Sequence, residues 1–231
     1  MLTRVLEPEV MDSAQEADDY DAMDHAAVNR ACVDDLLALG PDLHATIDLG
    51  TGTALIAIAL CQRDASARVV AIDLADSMLA LGARNVAAAG ADVAARISLE
   101  RRDAKATGLA SASVSTVFSN SLVHHLPEPG AFFSEIARVL APGGLAFVRD
   151  LRRPEDETSL ATLVERYAAI PSELIGDARA RAERQRGLFA DSLRAALTVD
   201  EVDALARAAG ITGARAASTS DRHFTWIWRR S

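Results

Sequence analysis

Between residues 45 and 150 the chain alternates short apolar runs with helical patterns, and a glycine-rich turn stands at the first junction. No other feature narrows the possible folds as much. The runs ATIDLG (45–50), RVVAID (68–73), ARISLE (95–100), VSTVFSN (114–120) and LAFVRD (145–150) read as five strands. Helical patterns fill 53–63, 76–89 and 130–140; Gly90 closes the second, and Pro142-Gly143-Gly144 ends the third. Strands separated by helices of about 10–15 residues imply βαβ units and a mostly parallel sheet with helices on both faces. Each crossover is expected to be right-handed. Such a sheet takes its ligand at the carboxyl ends of its strands, near the point where strand order reverses.

The flanks read differently. Val28, Cys32, Leu36 and Leu39 recur at helical spacing up to Gly40-Pro41, a stop signal. After Asp150 the alternation breaks, and 154–197 reads as two or three polar helices. Thr198 followed by Glu201 is a capping-box signature for one more helix, which ends at Gly210. Two closing strands are expected near 211–218 and 222–229. In the last, Phe224, Trp226 and Trp228 share one face, with Thr225 and Ile227 on the other. A strand apolar on both faces belongs inside a sheet. The chain thus divides into an acidic arm and cap helix (1–40), a sheet core (41–153), a helical insertion (154–197) and a segment that completes the core (198–231).

Charge and composition exclude several functions. The formal net charge of the 231 residues is −9. Residues 1–29 carry eight acids and one Arg, so most of that charge sits in the arm. A nucleic-acid binder needs a basic face to displace phosphate counterions, and a polybasic membrane-surface protein needs one too. No apolar run approaches the roughly 20 residues of a membrane span. The first residues lack a signal-peptide core, which leaves a cytoplasmic location as the expectation. Cys32 and Cys61 are too few for a disulfide framework and read as small buried hydrophobes.

The most informative stretch is Ile47-Asp48-Leu49-Gly50-Thr51-Gly52-Thr53-Ala54. Glycines there let the chain turn tightly and let a ligand approach the main chain. The dinucleotide fingerprint would need a third glycine where Leu55 stands. Asp48 precedes the loop, Asp73 ends the second strand, Asp103 follows the third and Asn120 ends the fourth. Four polar groups therefore gather at successive strand ends. They suit a ligand with an amine, a ribose and an amino-purine, all of which donate hydrogen bonds. With no basic residue beside the loop, a pyrophosphate suits them poorly.

These residues carry a resemblance. The chain resembles class I S-adenosylmethionine-dependent methyltransferases, more narrowly the small-molecule branch that includes the ubiquinone and menaquinone methyltransferases. The resemblance covers about residues 15–229. It implies a Rossmann-like, doubly wound, seven-stranded α/β sheet with an antiparallel last strand and a helical lid. IDLGTGTA matches the glycine motif, with Ala54 in place of its last glycine; Gly50, Thr51 and Gly52 would line the cofactor. VVAIDLADSML matches the second motif, where Asp73 would hold the ribose and Leu74 and Met78 would pack near the adenine. RRDAKATGL matches the third, where Asp103 would accept the adenine amino group beside Ala104. VFSNSLVHHL matches the fourth, where Asn120 and Ser121 would face the methionine part. FSEIARVLAPGGLAFVRD matches the unit around the fifth strand. Tyr20 in the arm would stack or bond at the methionine end, a solvated acidic helix being the plainer alternative. The implied cofactor is S-adenosyl-L-methionine and the implied partner is a small-molecule methyl acceptor.

The cofactor brings the electrophile in such chemistry, and the protein aligns the acceptor and sometimes takes its proton. His124 and His125 follow the fourth strand and are the candidate general bases, ahead of His25, His44 and His223. Packing of one ring against the sheet is the plainer reading. No metal site is expected, because adjacent His residues do not easily share an ion and no partner carboxylate is identifiable. Arg152 and Arg153 follow the fifth strand and could clamp an acidic acceptor, unless they serve as salt bridges. Two other functions fit less well: a non-catalytic S-adenosylmethionine-binding module, and a nicotinamide-dependent dehydrogenase. The fourth motif lacks the Pro-Pro-aromatic form used on nucleic-acid bases.

Overall fold

Apolar side chains in these strands point alternately to opposite faces, so a central sheet buries two separate cores. The computed structural model describes residues 2–7, 17, 19, 21 and 26–231. Its strands are β1 Thr46–Leu49, β2 Val69–Asp73, β3 Ile97–Arg101, β4 Val114–Asn120, β5 Leu140–Leu151, β6 Arg215–Ser218 and β7 His223–Arg229. They form one seven-stranded sheet in the order β3-β2-β1-β4-β5-β7-β6. β1 to β5 are parallel, while β7 is antiparallel to both β5 and β6. Strand order reverses between β1 and β4. The helices are α1 Ala26–Ala38, α2 Leu55–Arg63, α3 Asp76–Ala88, α4 Ala91–Ala94, α5 Gly130–Val139, α6 Glu157–Tyr167, α7 Gly176–Ala195 and α8 Val199–Ala208.

One core gathers Ile47, Val117 and Val148 from the strands with Phe132, Phe133 and Ile136 of α5. Phe133 meets Trp226 of β7 edge to face, with ring centroids 5.3 Å apart. The opposite core joins Phe118 and Phe147 to Cys32 and Leu36 of α1 and Leu60 and Cys61 of α2. β7 contributes Phe224, Trp226 and Trp228 to the first core and Ile227 to the second, as expected of a strand inside a sheet. Both cysteines are free and buried, and burial pushes the Cys32 thiol up to about 12. The expected capping box is present: Glu201 N donates to Thr198 Oγ1 (3.2 Å) and Thr198 N donates to Glu201 Oε2 (2.8 Å).

Two elements differ from expectation. β5 starts at Leu140, because Ala141-Pro142-Gly143-Gly144 continues the strand through an irregular register against β4 rather than separating it from α5. Gly143 at φ +79° takes up the irregularity. The short α4 enters after Gly90, so β3 begins at Ile97.

The segment between β5 and α8 holds α6 and α7 with a small core of its own: Leu151, Leu160, Leu163, Val164, Leu193 and Ala196. Leu2 packs against it. Among the described residues, no helix is long and apolar enough to cross a membrane.

Candidate functional site

The reversal of strand order opens a cleft at the carboxyl ends of β1 and β4, where the expected residues gather. It encloses about 1000 Å³ of empty space, its open mouth included. Asp48, Gly50, Thr51 and Gly52 line it from β1 and the glycine loop. Asp73, Leu74 and Met78 line it from β2 and α3, Asp103 and Ala104 from the loop after β3, and Asn120 and Ser121 from the end of β4. Tyr20, with Met23, Asp24 and His25, lies outside the described residues.

The glycine loop closes onto β2, since Gly50 N and Thr51 N both donate to Ile72 O at 3.0 and 2.8 Å. Gly50 sits at φ +73°, and a Cβ there would lie 2.7 Å from Leu122 Cδ1. Ala54 and Ser121 hold the left-handed conformation at φ 64° and 57° although neither is glycine. The substitution of alanine for the last glycine therefore keeps the loop's shape at a cost of about 1–2 kcal/mol. Strained backbone of this kind concentrates at ligand sites.

Asp73 organises the loop. Its Oδ2 accepts from Gly52 N at 2.8 Å and its Oδ1 from Ala75 N at 2.9 Å. A carboxylate accepts about four hydrogen bonds, so it can also serve ligand hydroxyls. Asp103 accepts from Lys105 N at 2.8 Å. Asp48 is buried in β1 and accepts from Thr51 Oγ1 at 2.7 Å. Burial raises its pKa to about 7, partly offset by Thr51 and reinforced by Asp73. Asn120 donates to Ser121 Oγ at 3.1 Å, while its own Oδ1 is buried and accepts no hydrogen bond. A cationic amine answers both needs at once: it donates to Asn120 Oδ1 and restores the charge of Asp48. The donor set therefore fits a ligand carrying an amine and a ribose.

The two histidines part ways. His125 borders the cleft, whereas His124 is buried and points away, its Nδ1 2.5 Å from Asp150 Oδ1. Asp150 also accepts from the backbone N–H groups of Val123 (2.5 Å) and Leu151 (2.6 Å). Burial opposes charge on His124, but Asp150 and Glu7 outweigh it and leave the imidazole above its ordinary value. Burial likewise opposes charge on Asp150, and His124 reverses that and holds the carboxyl below its ordinary value.

Arg152 and Arg153 do not reach the cleft, which corrects their reading as a substrate clamp. Arg153 is buried and donates to Glu201 Oε1 at 2.6 Å and Ala196 O at 2.9 Å. Arg152 donates to Asp221 O at 3.3 Å. Arg153 fastens the end of the insertion to α8, because a buried guanidinium needs the capping glutamate and an open carbonyl as partners, and Arg152 ties the end of β5 to the β6–β7 loop.

Glu7 escaped sequence reading altogether. Its Oε1 lies 3.1 Å from His125 Nδ1 and 3.5 Å from His124 Nε2. Arg4 holds the segment in place by donating to Ala195 O, His124 O and Leu126 O at 2.6, 3.1 and 2.9 Å. Asn29 of α1 and Arg102 also line the cleft. Other described residues of the arm touch groups at the cleft: Ala17 packs on Met78, and Asn85 Nδ2 bonds both Asp21 Oδ1 and Thr53 O at 3.1 Å. Asp19 is buried, with Arg181 and Arg184 of α7 at 3.0 and 2.9 Å.

A family model described as a methyltransferase domain matches residues 47–148, from β1 into β5. Over those residues the chain is similar to methyltransferase domains. Over 161 residues it is 31% identical to a malonyl-[acyl-carrier protein] O-methyltransferase of Methylovorus, an alignment covering 64% of this chain and 52% of that protein. It is 30% identical over 124 residues to a ubiquinone biosynthesis O-methyltransferase of Xanthomonas oryzae, covering 53% and 49%. The chain thus spans about half the length of the curated relatives it matches. A structure of an S-adenosylmethionine-dependent methyltransferase from Aquifex aeolicus superposes with a TM-score of 0.66 at 17% identity, covering 93% of this chain and 97% of that one. The likeness is one of fold, and it extends past the matched segment. The matched segment supplies every lining residue from Asp48 to Leu126, while Asn29 comes from the helix before it.

Proposed function

We propose that the chain transfers the methyl group of S-adenosylmethionine to an oxygen of a small-molecule acceptor and releases S-adenosylhomocysteine. The observation that carries this reading is the buried, unpartnered Asn120 Oδ1 in the cleft that a buried Asp48 also lines, a set that suits an ammonium group. The O-methyltransferase names of the relatives support oxygen as the accepting atom.

The cofactor supplies a sulfonium-bound methyl group when it is bound. Asp48 and Asn120 hold the amino-acid end, Asp73 the ribose hydroxyls and Asp103 the adenine amino group. Leu74 and Met78 pack against the base. Held in line, donor and acceptor gain about 7–11 kcal/mol from alignment alone. His125 is the ring on the acceptor's side, backed by Glu7, and His124 positions that turn through Asp150. The arm and the α6–α7 insertion form the lid over the acceptor.

Calorimetric titration with S-adenosylmethionine and with NAD tests the cofactor. Micromolar binding of the sulfonium, and none of NAD, is expected; the reverse would sink the reading in favour of a dehydrogenase. A panel of hydroxylated acceptors, read as S-adenosylhomocysteine release, tests the reaction. Cofactor binding without turnover on any acceptor would favour a binding module.

A further inference from the structure

Glu7, His124 and His125 present three ligand-type atoms within 4.8 Å of one another. Glu7 Oε1 is buried and accepts no hydrogen bond, although one ring nitrogen of each His stands 3.1 or 3.5 Å away. Those spacings match the edge of a small coordination tetrahedron: ligands about 2.0–2.2 Å from a zinc ion lie about 3.3–3.5 Å apart. The short helical turn Val123–His125 resolves the difficulty of adjacent histidines, since it presents Nε2 of one and Nδ1 of the next toward the same carboxylate. Behind His124, Asp150 takes the other ring nitrogen at 2.5 Å, the second carboxylate that commonly fixes the tautomer of a metal-ligating histidine. As ligands both rings would be neutral, and the carboxylates of Glu7 and Asp150 would stand on either side of His124. Arg4 is the nearby cation, and its guanidinium is engaged with the carbonyls of Ala195, His124 and Leu126.

We propose that Glu7, His124 and His125 form a site for one divalent first-row transition ion, with a remaining coordination position for the acceptor oxygen. Two imidazoles and one carboxylate select such ions over Mg²⁺ and Ca²⁺, which take all-oxygen sites. His125 borders the cleft, so the ion adjoins the place of transfer. There it acts as a Lewis acid: an acceptor hydroxyl loses its proton to solvent at neutral pH, its oxygen forms the new O–CH₃ bond, and the C–S bond breaks to leave a neutral thioether. His125 then serves as a ligand rather than as the base. This role rests on the methyl-transfer reading, whereas ion binding itself does not.

The test uses the full chain without a histidine tag, stripped with a chelator and dialysed against Zn²⁺ or Mg²⁺. About one equivalent of Zn²⁺ at micromolar free ion, and no Mg²⁺, is expected by atomic emission. Glu7→Gln and His125→Asn should each weaken Zn²⁺ binding at least tenfold, and Asp150→Asn by about 10–100-fold. Co²⁺ loaded into the unaltered chain should give the intense visible bands of a four-coordinate site, a readout that needs no variant. Failure to retain Zn²⁺, or equal retention by Glu7→Gln, overturns the proposal, as does a featureless Co²⁺ spectrum. Titration of the stripped chain with S-adenosylmethionine separates the two readings. Zn²⁺ binding without cofactor binding refutes methyl transfer and keeps the ion site, and the converse refutes the ion site alone.

Discussion

The cleft at the strand ends and the docking of the arm are built in opposite ways. At the cofactor end, each polar side chain sits on or just after a strand, and its neighbours in sequence aim it. Where the arm docks, Glu7 meets His124 and His125 across more than a hundred residues, and Asp19 meets Arg181 and Arg184 of α7. A strand end positions a side chain through the backbone ladder, which is stiff and shared by many residues. A long-range cluster rests on a few side-chain bonds that must form together. The cofactor end should therefore be intolerant of single changes, and the arm contacts should respond to salt.

Asp73→Ala offers the strongest challenge to this contrast. It removes the acceptors of Gly52 N and Ala75 N together with the proposed ribose contacts. Hydrogen bonds to a charged group contribute about 1.5–3 kcal/mol each, so calorimetry should show affinity for S-adenosylmethionine falling at least a hundredfold. Near-normal affinity would mean that the loop holds itself.

Gly50→Ala comes next. The added methyl must displace Leu122 in a left-handed backbone, so thermal melting should drop by several degrees and cofactor affinity about tenfold. An unshifted melt would show that Leu122 yields freely.

The pH response of Asp48 sharpens the picture of the cofactor end. Its pKa of about 7 means that an ammonium ligand must expel a proton below that pH. Affinity should weaken up to about tenfold per unit as pH falls below 7 and level off above it. Asp48→Asn should flatten this profile. For folding alone the sign is opposite: a raised carboxyl pKa stabilises at low pH, and that stability is lost as pH rises through 7. The same variant should therefore melt a few degrees higher at pH 8.

The smallest effect belongs to the arm. Arg181 and Arg184 are about half exposed, so their pairing with Asp19 is screened by solvent. Replacing both by Ala should weaken cofactor binding only severalfold at low salt and not at all at high salt. Deleting residues 1–24 should act in the same direction more strongly, because Glu7 and Arg4 leave with it. A salt-independent loss in the double variant would assign the arm a packing role instead.

Legibility in the sequence followed range of contact. β4 was readable to the residue, as were the capping box at Thr198 and the inside position of β7, because each is written in adjacent residues. The start of β5 was not, since Pro-Gly-Gly after a helix reads as a break and only pairing with β4 makes it strand. The eleven described residues expected at the cofactor all line one cleft. Of the two readings of the Arg pair, the salt bridge holds for Arg153, but its partner Glu201 is not written in the sequence after β5, because it approaches from α8.

Periodicity, glycine spacing and acids at strand ends settle the sheet, its reversal point and the cleft at its strand ends, because a strand's direction fixes where its last side chain lies. The division of labour between His124 and His125, and the arrival of Glu7 beside them, belong to the folded chain alone. They depend on Asp150 claiming one ring from within the sheet and on Arg4 pinning a distant segment to the turn's carbonyls. Bonds between residues so far apart leave no periodic trace in the chain that makes them.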